Sequence, residues 1–218
     1  MQINDIVNNI KIYGLNDSIK AAKYPKSVDV SKLNDEMTPG IHALGMATRG
    51  SGHDNFLKGI IVQFDLTFTN KAWPEAQRYH WFDFVSSQST MHCISRFDLD
   101  NAYISYVDSR IIKVVKEKVE RYNRLVAMRP ETPLPEYEEE IAEAYLEILY
   151  NNPAGFKLTA RMTTNYQQLK TIYGQRKNHR LPEWRIFCKW LETLPYHEFI
   201  TGKFEEPDDT VRSKNSSN

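Results

Sequence analysis

Apolar positions recur at the three- and four-residue spacing of a helix twice between residues 163 and 195. Leu169, Ile172 and Tyr173 share one face, and Trp184, Phe187, Cys188 and Leu191 share another. Each set predicts a helix with a side to bury, and Pro182 stands where the second would begin. Between them Arg176, Lys177, Asn178, His179 and Arg180 form an elbow of five consecutive hydrogen-bond donors, chemistry suited to an anion.

A period of two appears over 60–68, where Ile60, Val62, Phe64, Leu66 and Phe68 alternate with Ile61, Gln63, Asp65 and Thr67. That is the pattern of a half-buried strand. A second, shorter strand is expected over 156–160. Residues 101–129 predict one long helix, with Ile104, Val107, Ile111, Val114 or Val115, and Val119 on one side, interleaved with Lys and Glu. Pro130, Pro133 and Pro135 make the following connector stiff, and a second helix runs over 136–150 through Ile141, Tyr145, Ile148 and Leu149. Near the start, residues 1–26 predict a short strand, then a helix capped by Asp17 or Ser18 and stopped by Pro25. Residues 27–49 read as loop with a short helix over 41–46, and 72–98 as a helix leading into a polar loop, Ser-Ser-Gln-Ser-Thr-Met-His. The pattern gives one domain over 1–204 and a tail, 205–218, with too little apolar surface to order.

Charge narrows the function classes. The 28 basic and 28 acidic residues cancel, so no global field draws the chain to nucleic acid or an anionic membrane, and an anion site must be local. Cys93 and Cys188 are far apart and lack metal-ligand spacing, which fits a reduced, cytoplasmic protein. No leader pattern and no membrane-length apolar run occurs. Twelve tyrosines, ten phenylalanines and four tryptophans suit a site for planar ligands as well as a large core.

The run from Asn165 through Leu169 to Arg176, followed by His179 and by Trp184 opening a helix, resembles the C-terminal signature of the flavin-dependent thymidylate synthases, the ThyX family. The resemblance implies that Asn165 contacts flavin, Arg176 binds deoxyuridylate and His179 borders the flavin. One residue more than the usual spacing separates the Arg from the Trp. Ala21-Ala22-Lys23-Tyr24-Pro25 is similar to the family's Ala-Ala-Arg-x-Ser segment and places Lys23 at the nucleotide. Gly52-His53-Asp54-Asn55 resembles the Gly-His-Glu-Ser/Thr segment that meets flavin, which brings in His53 and Asn55, with Lys58 or Gly59 where an acid is usual. The family's defining motif, Arg-His-Arg-x-x-Ser-x-Asn-x-x-Ser-x-Arg-Tyr, is largely absent: with Ser86 and Gln88 aligned, Trp81-Phe82-Asp83 replaces the triplet and Cys93 the later Arg. Arg78 and His80 lie just upstream, and Ser86, Gln88, Ser89 and His92 offer a neutral phosphate cradle in place of arginines.

The resemblance implies an α+β fold, an antiparallel sheet packed with long helices, assembled as a homotetramer whose sites are built from several subunits. It further implies FAD held with a dUMP-like pyrimidine nucleotide. Methylenetetrahydrofolate and NADPH serve as co-substrates for methyl transfer to the 5-position of the base. Loss of arginines predicts weakened flavin and nucleotide binding in a divergent relative. Composition and size suit a phage-encoded nucleotide-metabolism protein. Two alternatives remain: a helix-turn-helix at 168–190 using Arg176, Lys177, His179, Arg180 and Arg185 on nucleic acid, or a non-catalytic assembly protein retaining the fold.

Overall fold

The computed structural model describes residues 1–202. The expected tail, 205–218, lies outside them. Four strands make one antiparallel sheet: β1 (Val7–Tyr13), β2 (Ile61–Thr69), β3 (Phe82–Ser87) and β4 (Lys157–Asn165), in the order β1-β2-β4-β3. The helices in chain order are α1 (Ile3–Ile6), α2 (Leu15–Ala21), α3 (Pro39–Met46), α4 (Trp73–Ala76), α5 (Thr90–Cys93), α6 (Ser109–Ala127), α7 (Pro135–Asn151), α8 (Tyr166–Arg176), α9 (Pro182–Leu191) and α10 (Glu198–Thr201). An α+β architecture, antiparallel sheet with long helices, follows as the sequence implied.

The alternation in β2 sorts as the period of two requires. Val62, Phe64, Leu66 and Phe68 are fully buried, whereas Ile61, Gln63, Asp65 and Thr67 keep partial exposure. Onto that buried face pack α8 and α9 through Leu169, Ile172, Trp184, Phe187 and Trp190. Phe64 meets Trp190 with ring centroids 4.7 Å apart, and Phe68 meets Trp184 at 4.8 Å. A second core, with Ile94, Tyr103, Val115, Val119, Ile148 and Phe156, holds the α6–α7 hairpin against the outer end of the sheet. The hairpin's charged faces meet as Lys118–Glu147, Arg121–Glu140 and Arg129–Glu138 ion pairs.

Four expectations are corrected. The helix after β1 begins at Leu15 with Gly14 at its N-cap, rather than at Asp17 or Ser18. Gly14 has φ 69°, and a Cβ there would come within 2.5 Å of the Gly59 carbonyl oxygen, so the turn is set by glycine's left-handed freedom. The long helix begins at Ser109, capped by the Asp108 carboxylate, instead of near residue 101. The preceding stretch is drawn out because Tyr103 bridges Phe156 and the Ile104 N–H donates to the Gly155 carbonyl. Strand β3 takes up the first two residues of the polar loop expected over 86–92, Ser86 and Ser87, and the last strand runs to Asn165, not 160. Pairing decides both: β3 pairs with β4 from Phe82–Thr164 to Ser87–Ala160, and β2 carries β4 on to the Ile61–Asn165 pair.

Burial also fixes how the fold responds to alkali. It pushes the Cys188 thiol up to about 12 from 9.0 and the Tyr103 phenol up to about 12 from 10.0, and raises Tyr166 as well. These groups hold their protons in the folded chain where the unfolded chain has released them. Their stabilisation is whole below about pH 9 and is lost as pH rises toward 12. The urea midpoint is therefore expected to fall between about pH 8 and pH 10.5; a flat profile across that window would contradict the burial of these groups.

Candidate functional site

The first place where expected residues meet is a cavity of about 870 Å³. The end of α2 and the turn after it contribute Ala21, Ala22 and Lys23; α3 adds Ile41 and Leu44; the segment ahead of β2 adds Gly52, His53, Asn55 and Phe56. Its size is that of a small-molecule or cofactor site, and its walls are apolar with a few donors: Lys23, Lys26, His53 and Asn55. Lys23 Nζ rests 2.5 Å from Asn34 Oδ1, which orients it.

The loop carrying His53 and Asn55 is fixed from below by Asp54. That carboxylate is fully buried, accepts from Gln167 Nε2 at 3.0 Å and pairs with Lys170 Nζ at 3.2 Å. Lys170 also donates to the Gly45 and Ala47 carbonyls at 3.0 and 2.5 Å, so a single ammonium caps the C-terminus of α3 and neutralises the buried acid. Sequence reasoning named Asp54 only as a place in a motif, and Lys170 carried no signal.

The elbow after α8 is a separate place. Arg176 Nη1 donates to Glu75 Oε2 at 2.8 Å and Nε to the Tyr79 hydroxyl at 2.6 Å. Its guanidinium also lies 5.0 Å from the Trp184 ring centroid and 5.4 Å from that of Tyr79. His179 Nδ1 accepts from the Leu181 N–H at 3.2 Å, which leaves Nε2 protonated and facing Glu75 Oε2, 3.2 Å away. Glu75 thus answers both elbow residues, and no pattern in the sequence marked it. Asn165 sits at the opposite end of α8, 8% exposed, where its Oδ1 accepts the Gln168 N–H at 2.9 Å as an N-cap. Arg176 is eleven positions further along, the last residue of the helix, roughly 16 Å away.

The third place is the sheet edge. Ser86 lies on β3 opposite Arg161. Gln88 prolongs the ladder: its N–H donates to the Thr159 carbonyl and its side-chain Oε1 accepts the Thr159 N–H, both at 2.9 Å. Ser89 precedes the single turn of α5, and His92, within that turn, is exposed. Arg78 and His80 are exposed on the loop between α4 and β3, next to Trp81, which has φ 61° and is 68% exposed. Lys23, His53 and Asn55 are therefore brought together; Arg176 and His179 share a second place, which Tyr79 of the Arg78–His80 loop also touches; the serine-rich group lies at the sheet edge.

No protein-family model matches the sequence, and comparison with curated proteins gives no match. Solved structures do match. Two structures of ThyX from Helicobacter pylori with FAD and dUMP each give a TM-score of 0.59, at 14% and 15% identity, covering 90% of this chain and 96% and 95% of theirs. The fold is that of the flavin-dependent thymidylate synthases. A UMP/dUMP methylase, PolB from Streptomyces cacaoi, bound with 5-Br dUMP, gives 0.56 at 15% identity, covering 89% of this chain and 96% of its own. Within this ThyX fold, α9 turns Glu183, Trp184, Phe187, Cys188, Trp190 and Leu191 inward and leaves Arg185 and Lys189 exposed. Among the described residues, no helix is long and apolar enough to cross a membrane and no group of His, Cys, Asp or Glu has the arrangement of a metal site.

Proposed function

We propose that this chain binds a dUMP-like pyrimidine deoxynucleotide together with a flavin, as a divergent protein of the ThyX fold. The observation that carries the reading is the cavity of about 870 Å³ that gathers Lys23, His53 and Asn55. Those residues come from two segments whose motifs resemble, respectively, the nucleotide and flavin segments of the family. Structural neighbours crystallised with FAD and dUMP, or with a dUMP analogue, support the same ligand class.

The residues present fit these groups. Lys23 and Lys26 supply positive charge for phosphate, and His53 and Asn55 supply donors for ring carbonyls and nitrogens. Phe56, Ile41 and Leu44 provide the apolar surface on which a planar ring packs. A flavin bound there would supply hydride chemistry, with NADPH and methylenetetrahydrofolate as its co-substrates in methyl transfer. The protein's part is to hold the two rings in register and exclude water. Because no arginine among the described residues lines the cavity, phosphate is met by point charges instead of bidentate forks, and binding is weaker than an arginine-built site would give.

The remaining residues enter the proposal across subunits. Arg176, Ser86, Gln88, Ser89 and His92 for the nucleotide, and Arg78, His80, Asn165 and His179 for flavin, lie outside the cavity lining of one chain. A homotetramer with composite sites would bring faces of neighbouring copies to it. Arg176 would have to exchange Glu75 for a phosphate to take part.

Lys23→Ala and His53→Ala are each expected to weaken dUMP binding, or flavin retention after desalting, at least tenfold, with an unchanged melting temperature, since both side chains are on the cavity surface. Absorption spectroscopy with FAD and titration calorimetry with dUMP read this out. Wild-type affinity in both variants would remove the cavity from the reading, and a colourless protein under every condition would remove the flavin. Mixing Lys23→Ala with Arg176→Ala subunits is the check on the composite site, because recovered binding requires two copies to complement.

A further inference from the structure

A second depression, of about 480 Å³, lies between the end of the elbow at Arg180, the start of α9 and residues 104–107, and Thr69 and Glu183 are part of its lining. Both are buried, at 1% and 2% exposure. Glu183 is the second residue of α9, a position where a carboxylate ordinarily faces outward to the helix N-terminus. Here it points inward. Its Oε1 accepts the Thr69 hydroxyl at 2.6 Å, and its Oε2 has no hydrogen-bond partner among the described residues.

A buried carboxylate oxygen without a donor costs stability, so such groups are expected to be matched by something. The walls narrow what that is. Ile104, Val107, Leu181 and Pro182 are apolar, and Tyr106, 79% exposed, offers a ring at the edge. The rim is positive: Lys71, Arg180 and Arg185 are exposed there. Arg185 Nη1 already donates to the His179 and Arg180 carbonyls, both at 2.7 Å, which fixes its charge at the mouth. A cationic ligand would be repelled by three like charges before it reached Glu183. A neutral planar group with N–H donors on its leading edge and an anion on its trailing end satisfies every part of the site.

We propose that this depression is a second ligand site, distinct from the first cavity, and that it takes a guanine nucleotide. Guanine presents adjacent N1–H and N2–H donors, the edge that a carboxylate reads. Adenine presents an acceptor at the corresponding ring nitrogen. The base would lie between the apolar walls with its donors on Glu183, and the phosphate would meet Lys71, Arg180 and Arg185.

Titration calorimetry of the full chain with guanosine monophosphate and adenosine monophosphate tests this. Saturable binding of the guanine nucleotide is expected, with the adenine nucleotide at least tenfold weaker. Glu183→Gln, which keeps the acceptor for Thr69 but turns a donor toward the base, is expected to weaken guanine nucleotide binding at least tenfold while the melting temperature stays level or rises. Arg180→Ala, at an exposed position, is expected to weaken binding and flatten its salt dependence. Absence of saturable binding, equal affinity for the two nucleotides, or binding lost on Lys23→Ala but indifferent to Glu183→Gln would each overturn the proposal. If Glu183→Gln failed to fold, the wild-type nucleotide preference and the Arg180→Ala titration would still decide it. The site does not depend on the dUMP and flavin reading, and the Lys23→Ala arm separates failure of one from failure of the other.

Discussion

Lys170→Ala is expected to destabilise the fold by about 3–5 kcal/mol, because it leaves Asp54 charged, fully buried and without its partner. The same substitution strips two carbonyls at the end of α3 of their donor. Urea denaturation reads the loss. Replacing both members with apolar residues, Lys170→Met with Asp54→Leu, is expected to recover a good part of it, since the cost lies in the unpaired charge more than in the absent pair. A Lys170→Ala effect below about 1 kcal/mol would mean that Asp54 is solvated and that the loop under the cavity is held in some other way. Because that loop carries His53 and Asn55, ligand binding should fall along with stability.

Trp184→Ala is expected to cost about as much, 3–5 kcal/mol, through the void it leaves among Phe68, Phe82 and Phe187. For a chain of this size that is a drop in melting temperature of roughly 6–20 °C. The indole also carries the Arg176 guanidinium at 5.0 Å, so the elbow should loosen at the same time. Trp184→Phe separates the two contributions. It retains most of the packing and removes an indole N–H that has no hydrogen-bond partner among the described residues, so its cost should be well below that of the alanine variant. Equal losses for the two variants would show that the indole's outer ring, more than its volume, secures the elbow.

Much of the architecture was legible in the chain. The alternation from Ile60 to Phe68, the helical faces of Leu169–Ile172–Tyr173 and Trp184–Phe187–Cys188–Leu191, and the proline-broken hairpin of α6 and α7 each carry a period that only one element satisfies. Order along the chain was enough to imply the ThyX fold even where the defining arginine motif is gone. Element ends were less legible. Tyr103 and Ile104 have helical spacing with Val107 and Ile111, yet pairing with Phe156 and Gly155 holds them extended. A propensity of a few tenths of a kcal/mol per residue yields to such contacts.

The site divided in the same way. Residue types at motif positions pointed to Lys23, His53 and Asn55, and those share one cavity. Arg176 was read as the anchor for deoxyuridylate, and in the fold it pairs with Glu75 from a helix about a hundred residues earlier. Gln88 was read as an amide for a phosphate, and its side chain serves as a surrogate ladder carbonyl for Thr159. Periodicity and local chemistry are properties of neighbouring residues, so the sequence by itself determined which segments are helix or strand, which faces turn inward and where donors cluster. What a buried charge is paired with is a property of distant segments meeting in space. Only the tertiary structure could decide that Lys170 answers Asp54, that Glu75 answers Arg176 and His179, and that one oxygen of Glu183 is left with no partner among the described residues.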